Sequence, residues 1–480
     1  MSIKQKVVKG FAWESITKLL IQTASWGSTI YVARLLNPED YGVMAIALVI
    51  THILNYVLEM GMADGLIQRK EISQDQIDGV FYFSILLSTV LGGCAYFFAS
   101  DLAIFYEAPI LEEVFEIMAL AIWITGTIVM PRALVLRELD FRYRALVDVW
   151  AYMISIVVVV VLATLEFGIW SLVYSYLTLQ TCISIGYLRK LTFLPKFRLR
   201  YSGLWDIFVF GHKLMLSRLL TMVQTKSDVF IAGSFLKSEV LGYYSMAVTF
   251  ASVPAAKIGV IFNSLAFPVI SRVADDPVVV KKYYLEMQKY LMMICMPILA
   301  GLALVAEEFV VVLLTEKWLP VVTILQLLCV ANIFIVMGML VPQILAGMGR
   351  AGLVLKYNVF VAILLPLAVF MGVIFGVHAM CLFIGIAYLI SYVVVQYIIS
   401  NLLGISFKEL FMVYKHIVLA NMIMILSVLI VKSYFHDIPN LYLLLLEMMI
   451  GAGAYALTYW IFFRGEVTKF ISNFKEMKAT

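Results

Sequence analysis

The sequence predicts an all-α integral membrane protein with about fourteen transmembrane helices. Three observations lead to this fold class. The 480 residues are 63% hydrophobic, and their mean hydropathy is +0.98. Only 14% of the residues are charged, whereas soluble domains carry about 25%. Apolar runs of about 20 residues, the length of a helix that crosses a bilayer, recur along the whole chain.

The apolar runs follow one another with short connections, so each is predicted to be one helix. They span residues 10–33, 41–63, 78–99, 112–130, 146–165, 168–188, 205–233, 240–265, 287–306, 319–345, 354–375, 378–400, 411–431 and 441–463. The first run is long enough to cross a membrane, and no small-residue cleavage site follows it. We therefore interpret it as a retained helix and not as a signal peptide.

The distribution of Lys and Arg predicts that both termini lie in the cytoplasm. With the N-terminus inside, the outer connections hold only four of the 35 Lys and Arg residues, namely Arg34, Lys237, Lys317 and Lys432. Short cytoplasmic loops carry an excess of positive residues in membrane proteins. This asymmetry favours an even number of crossings.

An internal repeat predicts two pseudo-symmetric lobes of six helices each. Ile30–Ala33 ends the first helix, and Tyr41–Gly42 opens the second. About 200 residues later, Val229–Ala232 ends the seventh helix and Leu241–Gly242 opens the eighth. Both copies run from inside to outside, which is typical of parallel transporter repeats. Chance similarity between apolar helices is the alternative interpretation. The predicted divisions are an N-terminal lobe at 1–203, a C-terminal lobe at 204–403, and helices 13 and 14 with a cytoplasmic tail at 404–480.

Five cations fall inside membrane-length apolar helices and form the candidate binding site. They are Lys18, Lys213, Arg218, Lys226 and Lys257. A charge at bilayer depth costs roughly 2.5–3.5 kcal/mol on insertion scales, so such groups face water-filled cavities or bind ligands. We predict a cationic cavity, open to the cytoplasm, that binds an anionic cargo. Snorkelling of the long side chains and internal ion pairs are the alternatives.

Polar side chains on the first and seventh helices recur at helical spacing. Each stripe has steps of four, four, three and four residues, which place its members on one helix face. The stripes are Glu14, Lys18, Gln22, Ser25 and Thr29 on one helix, and Lys213, Ser217, Thr221, Gln224 and Asp228 on the other. Lipid cannot satisfy such a line, so we predict that Gln22, Thr221 and Gln224 line the cavity.

The intramembrane carboxylates Glu14, Glu59 and Asp228 are candidates for ion coupling or charge pairing. Bound Na⁺ or a proton there would supply the driving force for transport. The alternatives are structural pairs, such as Glu14 with Lys18 or Glu59 with Lys257. Cysteine and histidine show no metal-ligand spacing, and no GxxxxGK[ST] phosphate loop occurs. We therefore expect no metal site, no other cofactor, no ATP hydrolysis by this chain and no nucleic-acid partner.

Four segments resemble bacterial polysaccharide flippases of the polysaccharide transporter family. The segments are Ala33–Gly42, Ile67–Ser73, Glu316–Trp318 and Leu325–Val330. The likeness covers nearly the whole chain and is greatest to the colanic-acid and teichuronic-acid export type, within the multidrug/oligosaccharidyl-lipid/polysaccharide superfamily. We expect these segments themselves to be structural and to carry no chemistry.

The resemblance implies a transporter, not an enzyme, in the bacterial plasma (inner) membrane. It implies alternating access and a cargo of undecaprenyl-pyrophosphate-linked oligosaccharide repeat units. Membrane lipids and the polysaccharide polymerase and export machinery are the other implied partners. The related lipid II flippases have a cationic cavity lined from helices 1, 2 and 8, a pattern that Lys18 and Lys257 match. Helix 2 departs from it, since it carries His52 and Glu59 but no Lys or Arg, and helix 7 supplies Lys213 and Arg218.

The function expected from the sequence is therefore flipping of a lipid-linked oligosaccharide from the cytoplasmic to the outer leaflet, for exopolysaccharide or cell-surface polysaccharide biosynthesis. A multidrug cation antiporter of the same superfamily is the first alternative, and a cavity rich in Lys and Arg argues against it. A membrane glycan polymerase or ligase is the second, and the short outer loops argue against it.

Overall fold

The structure, a computed structural model, describes residues 3–198, 203–435 and 438–463. Within these ranges the side chains at 3–12, 14–16, 210, 213, 214 and 217 lie outside the description. All regular elements in the described ranges are helices, which confirms the all-α fold class. The tail from residue 464 onward is also outside the described part. The chain divides into two compact units, Met1–Gly242 and Tyr243–Thr480.

The first unit contains nine helices in its described part, and the start of a tenth. They are α1 (Ile3–Leu35), α2 (Pro38–Glu59), α3 (Met62–Gln68), α4 (Gln74–Phe97), α5 (Ala99–Phe105), α6 (Ile110–Arg137), α7 (Phe141–Thr164), α8 (Ile169–Leu188), α9 (Leu204–Gly233) and α10 (Ser238–Ala251). Helix α6 packs against α4 and α8, while α7 packs against α1 and α8. Helix α9 contacts α2 and α3.

The second unit holds the remaining helices. They are α11 (Val260–Arg272), α12 (Pro277–Leu304), α13 (Ala306–Leu313), α14 (Val321–Gly338), α15 (Val341–Gly347), α16 (Ala351–Val373), α17 (Val377–Leu403), α18 (Phe407–Tyr434) and α19 (Asn440–Phe462). A π-helical turn at Ala255–Gly259 precedes α11, and α10 is bent by 44° against this stretch. Trp318 is fully buried in a 3₁₀ turn and packs edge-on against Tyr243.

Each predicted apolar run overlaps one helix or a helix with a short break. Among the described residues, ten helices are long and apolar enough to cross a membrane, and the bent pair Ser238–Ala251 with Ala255–Arg272 makes eleven. The chain is thus a multi-span membrane protein. The count of fourteen crossings and the lobe boundaries at 203 and 403 stay predictions.

The loop segments singled out in the sequence make structural contacts. In the first, the Asp40 carboxylate accepts a hydrogen bond from the Asn37 N–H at 2.9 Å and so caps α2. In the second, Ser73 and Gln76 cap α4 reciprocally. The Ser73 N–H donates to Oε1 of Gln76 at 3.1 Å, and the Gln76 N–H donates to Oγ of Ser73 at 3.2 Å. Arg137 at the end of α6 donates to the Leu66 carbonyl of α3 at 2.9 Å and to the carbonyls of Arg69 and Lys70 in the α3–α4 connection. These contacts fix the entry of α4.

The starts of α2 and α10 touch through the two glycines of the internal repeat. A Cβ atom on Gly42 would lie 1.7 Å from the Ser238 carbonyl oxygen, and one on Gly242 would lie 1.8 Å from that of Pro38. Pro38 and Ser238 are 200 residues apart, as are the two glycines. The contact is therefore reciprocal, as a two-fold relation between the repeats predicts. Only glycine permits so close an approach of two backbones.

Candidate functional site

A break between α2 and α3 positions the acidic groups of the site. Met60 and Gly61 both adopt positive φ, +41° and +65°, so the chain turns sharply between Glu59 and Met62. Gly61 lies directly against Gly211 of α9: a Cβ on Gly61 would be 2.3 Å from the Gly211 carbonyl oxygen. This backbone contact brings both sides of the break close to α9. Arg218 follows two turns farther along α9.

Arg218 forms an ion triad with the two carboxylates that flank the break. Its Nη1 donates a hydrogen bond to Oε2 of Glu59 at 3.0 Å. Its Nη2 lies 2.8 Å from Oδ2 of Asp64, but that oxygen accepts no hydrogen bond within the described part of the chain, so the second contact is electrostatic. All three side chains are partly exposed. The triad links α2, α3 and α9 near the middle of the 30-residue α9.

The triad borders a cavity of about 270 Å³ inside the first unit. Its walls come from α2, α3, α6, α8 and α9, and they mix polar with apolar groups. The polar lining consists of Asn55, Glu59, Asp64, Thr125, Arg132, Gln180 and Arg218. Pockets for drug-sized ligands measure about 300–1,000 Å³. The cavity therefore suits a small charged head group and not a whole oligosaccharide.

The charges around this cavity are balanced. Arg132 and Arg218 supply two positive charges, and Glu59 and Asp64 supply two negative ones. A guanidinium carries five N–H donors in a planar fork, so one bond to Glu59 leaves it further capacity for oxygen acceptors. An anion entering the cavity would have to compete with the carboxylates for Arg218. Arg218 therefore has two carboxylate partners at this cavity and further capacity to donate hydrogen bonds.

The structure brings together two of the predicted site residues, Arg218 and Glu59. Glu59 contacts Arg218, while its alternative pairing with Lys257 of the second unit stays a prediction. On α1, Lys18 is exposed and Gln22 is half-buried. The side chains of Glu14 and Lys213 lie outside the described residues. Their assignment to the site stays a prediction.

The remaining predicted residues are not among the described lining of this cavity. On α9, Thr221 and Lys226 are exposed, while Gln224 and Asp228 are half-buried. Oδ1 of Asp228 accepts a hydrogen bond from the Val229 N–H at 2.8 Å. Lys257 is exposed on the π-helical turn of the second unit. The wider cationic cavity that these residues would line stays a prediction.

Sequence reasoning missed Asp64 and Arg132. Asp64 directly follows the predicted second helix, and Arg132 was assigned to a cytoplasmic connection because the fourth apolar run ends at residue 130. In the structure α6 continues to Arg137, so Arg132 lies on the helix and faces the cavity. The Met60–Gly61 pair was the available signal, since glycine after a helical run marks its end.

Comparison with solved structures identifies the fold. The chain is similar to the lipid II flippase MurJ in its inward-closed conformation, with a TM-score of 0.77 and 16% identity over 95% of this chain and 99% of that one. It is also similar to an inward-facing multidrug resistance MATE family transporter of the MOP superfamily, with a TM-score of 0.65 and 17% identity over 83% and 99% of the two chains. The fold is therefore that of this superfamily.

Comparison with curated proteins identifies the family. The chain is 23% identical to the lipopolysaccharide biosynthesis protein WzxC of Escherichia coli (strain K12), over 85% of this chain and 84% of the relative. It is 25% identical to the teichuronic acid biosynthesis protein TuaB of Bacillus subtilis (strain 168), over 78% and 77%. A family profile described as "Polysaccharide biosynthesis protein" matches residues 31–323. This match covers more than half of the sequence, and the chain belongs to the polysaccharide biosynthesis protein family.

Proposed function

We propose that the chain is a secondary transporter that flips an undecaprenyl-pyrophosphate-linked oligosaccharide repeat unit. Cargo moves from the cytoplasmic to the outer leaflet of the bacterial plasma membrane, by alternating access, with both termini in the cytoplasm. The protein forms and breaks no covalent bond of the cargo. Family membership, the polysaccharide biosynthesis relatives and the fold shared with the lipid II flippase MurJ support this proposal. The polymer it serves is an exopolysaccharide or another cell-surface polysaccharide.

The observation that carries the proposal is the guanidinium of Arg218 beside a cavity between helices of the first unit. An Arg fork binds phosphate oxygens in a bidentate manner, and such charge-assisted bonds are stronger than neutral ones. Arg132 of α6 lines the same cavity and adds a second cation. The cavity volume of about 270 Å³ suits the pyrophosphate, while the sugars and the polyprenyl tail would lie outside it. The head group is thus recognised apart from the glycan.

The triad provides a means to link cargo binding to helix arrangement. When the pyrophosphate binds Arg218, the carboxylates of Glu59 and Asp64 lose their cation and repel each other. The contacts that hold α2 and α3 to α9 are then weakened. The released carboxylates become acceptors for a proton or Na⁺, which is the coupling ion expected from the sequence. Cargo and coupling ion would therefore compete through one guanidinium.

Reconstitution tests the function directly. Purified protein in liposomes should equilibrate a fluorescent undecaprenyl-pyrophosphate oligosaccharide between leaflets, measured as loss of protection from an impermeant quencher. Protein-free liposomes give the background. Transport of the lipid-linked glycan at the background rate, with the protein folded and inserted, would overturn the proposal.

A multidrug cation exporter is the second candidate, because two carboxylates line the same cavity and the MATE fold matches as well. Organic cations would bind Glu59 and Asp64, but Arg218 and Arg132 would oppose them. The same liposomes loaded with ethidium distinguish the candidates. Protein-dependent ethidium movement without glycan flipping would favour the exporter.

Removing the charge of Glu59 should strengthen binding of the head group. We expect Glu59→Gln to bind a short polyprenyl pyrophosphate up to about fivefold more tightly, because partly exposed ion pairs contribute up to about 1 kcal/mol and one competitor for Arg218 is lost. Isothermal titration in detergent measures the affinity. Glu113→Gln, an exposed carboxylate at the start of α6, is the matched control. Weaker binding by Glu59→Gln alone would contradict the exchange mechanism.

A further inference from the structure

Three charged side chains from α13, α18 and α19 meet in the second unit, apart from the Arg218 cavity. Nζ of Lys432, in the last turn of α18, lies 2.9 Å from Oε2 of Glu308 on α13. The same ammonium donates a hydrogen bond to the Leu304 carbonyl at 2.8 Å. Glu447 on α19 is the third member, because Leu444, one turn before it, packs with Val305 and Val428, which lie one turn before Glu308 and Lys432. We refer to these three residues as the C-terminal charge cluster.

Glu447 is the unusual member of this cluster. Its side chain is in the protein interior, with 1% of the residue exposed. Both of its carboxyl oxygens are buried, and neither makes a hydrogen bond within the described part of the chain. Buried polar groups are satisfied in the large majority of cases, so an unsatisfied carboxyl requires an explanation.

Apart from Glu308 and Lys432, the residues that pack against the adjacent turns of α19 are apolar. Leu444, one turn earlier on α19, packs with Val305 and Val428 in one buried cluster. Gly451, one turn later, faces Val428 and Met424. The opposite face of α19 exposes Met448 and Met449, which would lie against lipid in a membrane-spanning helix. Glu447 is therefore on the protein-facing side of α19, where its neighbours shield it from water.

Other charges do not compensate for Glu447. Glu307, which precedes Glu308 on α13, is exposed. The charged residues of α12, which also contacts α19, lie in the first half of that helix, between Lys281 and Lys289. With all groups ionised, two carboxylates would share one ammonium, and the cluster would carry a net negative charge. An ionised carboxylate in an apolar site costs so much free energy that the group takes up a proton instead.

A metal ion does not fit this site as well as a proton does. Na⁺ and other hard cations require several oxygen ligands, as the six to eight of Ca²⁺ sites illustrate. The described residues contain no group of three or more His, Cys, Asp or Glu side chains that could hold a metal. Beyond Glu308 and Lys432, the residues packed at the adjacent turns of α19 are Leu, Val and Met. A proton needs no further ligand, because it neutralises the carboxyl by itself.

We propose that the C-terminal charge cluster is a proton-binding site in which Glu447 holds a proton while Glu308 and Lys432 form an ion pair. Loss of this proton makes Glu447 compete with Glu308 for Lys432, and so favours a different packing of α19 against α13 and α18. Glu308 belongs to the predicted C-terminal lobe, whereas Lys432 and Glu447 belong to the predicted segment 404–480. The proposal does not depend on the identity of the cargo.

Infrared difference spectroscopy of the purified protein tests the proposal without a transport assay. At neutral pH, the protein should show the carbonyl band of a buried protonated carboxylic acid, and Glu447→Gln should lose it. Glu308→Gln should keep the band but shift its titration to lower pH, because Lys432 then has Glu447 as its carboxylate partner. Glu307→Gln, with the same change at an exposed position, should leave the band and its titration unchanged. Absence of the band in the unmodified protein across the acidic and neutral range would overturn the proposal.

Thermal stability supplies a second readout. A carboxyl that is harder to ionise in the folded than in the unfolded state stabilises the fold least at high pH. The Tm of the unmodified protein should therefore fall relative to that of Glu447→Gln as pH rises from mildly acidic to mildly alkaline. A Tm difference independent of pH, or one that responds to NaCl against choline chloride at fixed pH, would identify a structural or metal-ion site instead and would overturn the proposal.

Discussion

Replacing Arg218 with alanine is expected to reduce flipping of the lipid-linked oligosaccharide by about 10- to 100-fold. Hydrogen bonds to charged groups contribute about 1.5–3 kcal/mol each, and a loss of 1.4 kcal/mol is tenfold in affinity. The alanine variant also leaves Glu59 and Asp64 without the cation that the structure places between them. The anionic head group would lose its cationic ligand, and the two unneutralised carboxylates would also repel it. The liposome flipping assay measures the effect.

Two further variants separate loss of binding from loss of folding. Arg218→Lys keeps the charge but loses the planar fork, so flipping should be intermediate. The triple variant Arg218→Ala, Glu59→Gln, Asp64→Asn removes all three charges and should restore the Tm without restoring flipping. Arg189→Ala, at an exposed position after α8, is the matched control. Full flipping by the triple variant would show that the guanidinium does not bind cargo.

A methyl group at Gly42 or Gly242 is expected to reduce the yield of folded protein by tenfold or more. The added Cβ would lie 1.7 Å from the Ser238 oxygen in Gly42→Ala and 1.8 Å from the Pro38 oxygen in Gly242→Ala. The clashing atoms are backbone, so no side-chain rotation relieves the overlap and the two helix starts must separate. Overpacking costs about 1–3 kcal/mol even where side chains can move, against a total stability of about 5–15 kcal/mol.

Monodisperse protein after detergent extraction, together with its Tm, measures the outcome. Gly93→Ala on α4 is the matched control, because a Cβ there meets no atom within 4 Å. Alanine is a better helix former than glycine by about 1 kcal/mol, so this variant should be as stable as the unmodified protein or slightly more so. Equal Tm values for Gly42→Ala and Gly93→Ala would show that the two backbones do not touch as described.

The amino-acid sequence determined the helices, their approximate limits and the membrane environment. These properties depend on local composition: an apolar run long enough to cross a bilayer predicts a helix wherever it occurs. The internal repeat also placed Gly42 and Gly242 in equivalent positions. The ion pair of Arg218 with Glu59 lay within the predicted set, because a charge inside an apolar helix stands out in the sequence itself.

Only the tertiary structure decided which of these groups meet. Asp64 lies at the site because two positive-φ residues turn the chain back against Gly211. Arg132 lies there because α6 extends past its apolar run. The repeat could not show that its two glycines touch. Glu308 and Glu447 are far apart in the sequence, one in the first turn of α13 and the other two turns inside α19. Hydropathy depends on neighbours along the chain, whereas ion pairs, cavities and buried carboxyls depend on which helices approach each other in space.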